Sequence, residues 1–246
     1  MFSILNLLPL WATAFVLVGL AVVLTILASG LVHRRYKVEE LRGNNEVAGY
    51  TFGVIGAIYG LLLALALVAA WGGYARAREN AGDEEACILS LKRVGWGLPD
   101  GGTAMTAAIA RYKRAANQEW GKSVADTDAI DAVDEIGRLL TDERDASSAP
   151  FVADGMARLD RLADLRAARR SNTQSGMPPF LWIVMVLGGA VTVGFSLFFG
   201  SANRRSQRAM TSILGATLTL VLFAVMEMDH PYEGEIRVHS PFENAR

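Results

Sequence analysis

Four stretches of the chain run without a single Asp, Glu, Lys or Arg: residues 1–32, 47–75, 171–202 and 209–226. Each is close to or longer than the ~18 apolar residues that a spanning helix needs, and together they predict four membrane helices. Between the second and third stretches the pattern changes to short amphipathic runs, apolar at three- and four-residue intervals with charges between them. The fold class expected is therefore all-α: four transmembrane helices, with an all-helical extramembrane module inserted between spans 2 and 3. The boundaries that follow are 1–75 for the first helix pair, 76–170 for the module, 171–229 for the second pair and 230–246 for a tail too rich in Pro, Gly and charge to read as helix.

Within the second span, Gly49, Gly53, Gly56, Gly60 and Ala64 follow at steps of four, three, four and four, which keeps them on one helical face. Small residues at this spacing let membrane helices approach closely where lipid removes the usual hydrophobic drive. The stripe predicts a packing seam within a subunit, a seam between subunits, or a wall of a conduction path. About 100 degrees round the helix, Phe52, Ile55, Tyr59 and Leu62 align. If the glycines pack inside the subunit, these four are the candidates to line a path as its hydrophobic constriction.

The first span begins near Pro9, with Trp11 as an interfacial anchor, and ends in the basic run His33, Arg34, Arg35, Tyr36, Lys37. It lacks a basic leader and exceeds the h-region of a signal peptide, so it is expected to be a retained helix. After Trp71 and Tyr74, helical periodicity continues through residues 76–96 with no proline before Pro99, predicting that the second span extends as one long helix. Further helices are expected from Thr103 as cap, with Met105, Ile109, Tyr112, Ala116 and Trp120 inward, and over residues 126–140, with Ile130, Val133, Ile136 and Leu140 inward. Another follows Pro150, with Val152, Met156, Leu159 and Leu162 on one side and Arg158, Arg161, Arg166, Arg169 and Arg170 largely on the other. The link between the last two spans is short and again basic, with Arg204, Arg205 and Arg208.

Composition narrows the class. The chain has 246 residues, 52% hydrophobic, and a formal net charge of -1, so no overall field points to nucleic acid. Cys87 is the sole cysteine, which excludes an intrachain disulfide and a cysteine zinc site within one chain. His33, His230 and His239 lack ligand spacing, and no HExxH, CxxC, phosphate-loop or Gly-x-Ser-x-Gly pattern occurs, so no metal, no cofactor and no catalytic set is expected. Glu84 and Glu85, adjacent on a helix, diverge too far for paired acid chemistry; one is expected in solvent and one paired with an arginine such as Arg93. The arginine row of 158–170 suits a solvated face or pairing with the acidic helix before it. The acids from Glu227 to Glu235 lie where the last span meets water, a place for structural pairing or for a binding or gating role.

Asn44, then Gly53, Gly56, Tyr59 and Leu63, then Trp71, Tyr74, Glu85 and Ala86, then Trp182, and finally Asp229, Pro231, Tyr232 and Gly234 form a pattern that resembles a bacterial bestrophin-like membrane protein family. The resemblance covers most of the chain and is strongest at the Asp-x-Pro-Tyr-x-Gly close. Bestrophins are pentameric anion channels with four membrane helices per subunit and a large helical cytosolic part. The resemblance therefore implies a multi-pass protein of the bacterial inner membrane whose partners are the lipid bilayer, further copies of itself and small anions, with a pore lined by the second span. It also implies a cytoplasmic module, whereas the two short basic loops, by the positive-inside rule, place the module outside. The competing expectation is a non-conducting scaffold or sensor whose helical module binds a partner.

Overall fold

The computed structural model describes residues 9–36, 43, 45–98, 102–122, 127–142, 148–174, 176–201 and 203–243. Among them every regular element is a helix: α1 (Leu10–Arg35), α2 (Asn45–Gly95), α3 (Thr103–Glu119), α4 (Thr127–Thr141), α5 (Ala149–Gln174), α6 (Pro179–Ser196) and α7 (Arg204–Asp229). α1, α2, α6 and α7 are long and apolar enough to cross a membrane. The long second helix runs unbroken for 51 residues, about 75 Å at 1.5 Å per residue, and Gly82 does not interrupt it. The chain divides into two compact units, residues 1–72 with 177–229, and residues 73–176 with 230–246.

In the first unit α7 packs against both α1 and α6. α1 and α7 meet closely at Gly215, where an added Cβ would stand 2.9 Å from the Thr25 hydroxyl. The buried hydroxyls stay on their own helices: Thr25 donates to Ala21 O, Thr192 to Gly188 O and Thr211 to Gln207 O. This return to the i−4 carbonyl satisfies a hydroxyl where no water is at hand. At one end, His33 is bonded through Nδ1 to Ser29 O at 2.8 Å and through Nε2 to Gln207 Oε1 at 3.0 Å. Gln207 donates in turn to Phe199 O. Asn45 donates to Gly200 O and accepts from Gly200 N, tying the start of α2 to the residues after α6.

The second unit has an ordinary apolar interior built from Ile88, Leu91, Met105, Tyr112, Ile136, Leu140 and Leu162, all fully buried. Its helices start where turn chemistry dictates. Gly102, at φ 78, is the N-cap of α3, so Thr103 is the first helical residue rather than the cap expected. Pro150 falls in the first turn of α5, as its missing N–H predicts. α4 is rotated from expectation: Ala129, Ala132, Ile136 and Leu140 face inward, and Ile130 is exposed. The alanines let α4 lie close to α3, which places the larger Ile130 on the outer side. Residues 237–240 are non-helical, as expected, and the tail returns Phe242 to the core.

Candidate functional site

On α2 within the first unit, the buried positions are Tyr59, Leu63, Ala66 and Ala70. They pack with Met185 of α6 and Val225 of α7, and Leu62 joins this cluster from its edge. The Tyr59 hydroxyl donates to Met185 O at 2.8 Å. Gly188 and Gly189 make that possible, since a Cβ on Gly188 would meet the Tyr59 ring at 2.7 Å and one on Gly189 the hydroxyl at 2.8 Å. Phe52 stacks with Phe195 and meets Phe199 edge-on, and Ile55 is half-buried. Of the four residues expected to form a constriction, Tyr59 and Leu62 thus pack in the chain's own core and Phe52 against Phe195 and Phe199, and paired glycines on α6 open the space that the tyrosine fills.

The glycine stripe lies elsewhere. A Cβ on Gly53, Gly56 or Gly60 would meet nothing within 4 Å, and one on Gly49 would just touch Phe199. Ala64 is exposed. Among the described residues, no seam covers the stripe from Gly53 to Gly60. At about 100 degrees per residue it sits roughly a quarter-turn from the buried face. Almost opposite the buried face stand Val54, Ile58, Leu61 and Leu65, all exposed. The helix therefore presents a packed back, a bare flank and an apolar front.

The closing motif splits into distinct jobs. Asp229 ends α7, and its buried carboxylate accepts from Met177 N at 2.7 Å and from Trp182 Nε1 at 3.1 Å, just ahead of and within the first turn of α6. A carboxylate at that point also faces the positive end of α6. In the second unit, Pro231 O accepts from Val238 N, and Gly234 takes φ 77, the left-handed turn that glycine allows. Tyr232 meets Trp120 edge-on and packs with Ala77, Ala81 and Val238. Trp71 and Glu85 are exposed. Asn44 lies outside the described residues.

A cluster that the sequence did not reveal occupies the interior of the second unit. Arg169 donates to Glu84 Oε2 at 3.0 Å and to Glu119 Oε1 at 3.3 Å, and Arg166 donates to Glu119 Oε2 at 2.5 Å. Tyr112 donates to Glu84 Oε1 at 2.6 Å, and the Arg169 guanidinium stands over the Trp120 ring. Two carboxylates thus neutralise two guanidiniums in a nearly dry setting, where an uncompensated charge would be costly. Glu84, not Glu85, is the paired member, and its partner is Arg169 rather than Arg93. Burial, with Glu84 beside it, holds the Tyr112 hydroxyl well above the usual phenol range. Burial likewise pushes Tyr232 up to about 12, with Arg169 and Asn172 acting in the opposite direction. Two of the remaining arginines of α5 make surface pairs, Arg158 with Asp154 and Arg161 with Asp83. Among the described residues no group of three or more His, Cys, Asp or Glu side chains is placed to hold a metal ion.

The sequence pattern of the Bestrophin-like domain matches residues 15–241. No curated protein matches the chain. A variant of a bacterial bestrophin homologue from Klebsiella pneumoniae has a similar structure, with a TM-score of 0.72 at 11% identity, covering 93% of this chain and 96% of that one. A further structure of the homologue from the same organism gives 0.67 at 14% identity, covering 92% and 93%. A crystal structure described as that of a membrane protein gives 0.70 at 12% identity, covering 93% of each chain. At such identities the likeness is one of fold.

Proposed function

Because the chain belongs to the Bestrophin-like family, we propose that it is one subunit of an oligomeric anion channel of the bacterial inner membrane, with α2 lining the pore and the residue 76–170 module outside the bilayer. The observation that carries this reading is the three-sided character of α2. In a ring, each pore helix turns its back to its own subunit, its flank to a neighbour and its front to the axis. Tyr59, Leu63 and Ala66 supply the back, Gly53, Gly56 and Gly60 the flank, and Val54, Ile58, Leu61 and Leu65 the front. Bare glycine backbone allows close helix approach between copies, and a ring of branched apolar side chains makes a hydrophobic constriction.

The test is reconstitution of the full chain into planar bilayers with chloride or potassium gradients. Anion-selective current is expected, with conductance altered by Ile58→Ala. Gly56→Leu is expected to leave the folded subunit intact, because nothing stands within 4 Å, while lowering the oligomer fraction seen by native mass spectrometry. Absence of current above empty bilayers in every salt overturns the channel. One observation favours a second reading, a partner-binding scaffold. A cleft of about 700 Å³ between α3 and α4 is lined by Arg111, Arg114 and Arg138 on one hand and Asp128, Asp131 and Glu135 on the other. A monomeric chain that retains a soluble partner on this cleft, lost in Arg114→Glu, would replace the channel reading.

A further inference from the structure

Arginines that flank the two short connections stand at one end of the first unit. α1 packs along α7, and His33 of α1 is bonded directly to Gln207 of α7. One and two residues beyond His33 come Arg34 and Arg35; around Gln207 stand Arg204, Arg205 and Arg208. All five arginines are exposed, and none makes an ion pair among the described residues. Asn203 Oδ1 accepts from Arg205 N and Ser206 N, and Gln207 is committed to His33 and Phe199 O. Five guanidiniums thus share one end of a helix pair, and among the described residues none of them is paired with a carboxylate.

The face of α1 that leads to Arg34 and Arg35 is apolar. Leu20, Leu24, Leu27 and Leu31 of α1 recur at steps of four, three and four, and each is more than half exposed. The same period continues onto Arg34 and Arg35. From Leu20 to Leu31 the stripe is about 16 Å long at 1.5 Å per residue, close to half of a hydrocarbon core of about 30 Å. A leaflet-length oily stripe capped by clustered guanidiniums has the two halves of one ligand chemistry, an acyl chain and a phosphate. We infer that this end of α1 and α7 binds an anionic phospholipid, with its phosphodiester held by Arg35, Arg204 and Arg208 and an acyl chain laid along the leucine stripe. Guanidinium suits this role because its planar fork meets phosphate oxygens in pairs. The inference does not depend on conduction, since retention of a lipid is read without any current.

The experiment uses the full chain purified in mild detergent, exchanged into micelles that carry equal amounts of phosphatidylglycerol and phosphatidylcholine, with bound lipid counted by native mass spectrometry. Wild type is expected to retain phosphatidylglycerol in preference by tenfold or more. Each arginine at an anionic surface is worth roughly fivefold in affinity, so Arg35→Gln, Arg204→Gln and Arg208→Gln together should abolish the preference. A matched double change, Arg76→Gln with Arg78→Gln, should leave it intact. These side chains are exposed, and the circular dichroism of the triple variant should match wild type. Millimolar inorganic phosphate should displace the lipid only weakly, because it lacks the chain. Equal retention of both lipids by wild type, an unchanged preference in the triple variant, or complete displacement by inorganic phosphate each overturns the site. So does an oligomer without lipid in which the leucine stripe is shielded from hydrogen exchange, since a second copy is then its occupant.

Discussion

The two units bury polarity in opposite ways. In the first, the buried polar residues are mostly small, Thr13, Thr25, Ser29, Thr192, Ser196 and Thr211, with Gln207 and Asp229 near helix ends, while large apolar side chains crowd the outside. In the second, the outside is charged and the interior holds Glu84, Glu119, Arg166 and Arg169 among leucines and isoleucines. Among the described residues, Leu89, Trp96, Ile130, Phe151 and Ile236 are the second unit's only large exposed apolar side chains. The contrast fits the proposed placement, with lipid around the first unit and water around the second. Where lipid lies outside, association gains little from burying oil and depends on close approach of small residues. Where water lies outside, apolar burial supplies the drive, and full charges enter only as a closed set.

The strongest way to break this contrast is to open the closed set. Arg169→Met should destabilise the folded chain by about 3–5 kcal/mol, because Glu84 and Glu119 would stay buried without their shared partner; thermal unfolding followed by circular dichroism reads it. Asp229→Ala removes a carboxylate that accepts from Met177 N and Trp182 Nε1, and should cost about 1.5–3 kcal/mol, with a change in tryptophan fluorescence. Gly188→Val should cost about 1–3 kcal/mol in the same melt through overpacking against Tyr59, whereas a matched change at Gly56 should not move the melting point of the monomer.

A smaller effect is expected with pH. Tyr232 titrates near 12 in the folded chain against about 10 when unfolded, so between those values the folded form holds a proton that the unfolded form has lost. Its contribution is fully present below pH 10 and declines as pH rises towards 12, a fall that Tyr112 reinforces. Tyr232→Phe should make that decline shallower in alkaline melts. Glu85→Gln, on the exposed side of α2, should change stability by no more than about 0.5 kcal/mol.

Much of the fold was legible because its signals are long and periodic. Uncharged runs mark the four spans, and the unbroken pattern through residues 76–96 marks the length of α2. Pro150 and Gly234 mark a helix start and a turn. The charged cluster was legible in principle but hidden by composition. Glu84 is in phase with Ala77, Ala81, Ile88 and Leu91; Glu119 with Tyr112 and Ala116; Arg166 and Arg169 with Leu159 and Leu162. A charge that keeps the period of an apolar stripe has a partner inside, but sorting residues by polarity assigns it to the outer face. Which face of α2 packs could not be read from α2 alone, because it depends on Gly188 and Gly189, more than 120 positions away from Tyr59.

Cys87 carries a last consequence. Its thiol is buried, donates to Arg158 O at 3.0 Å, and is held above the usual thiol range by burial. A protonated, enclosed sulfur reacts slowly with maleimides, so the natural chain is close to a blank background for thiol reporters. One cysteine placed at exposed Glu85, and another in a separate variant at exposed Arg35, then become single reactive points, and a membrane-impermeant maleimide applied to intact cells assigns each to its side of the bilayer.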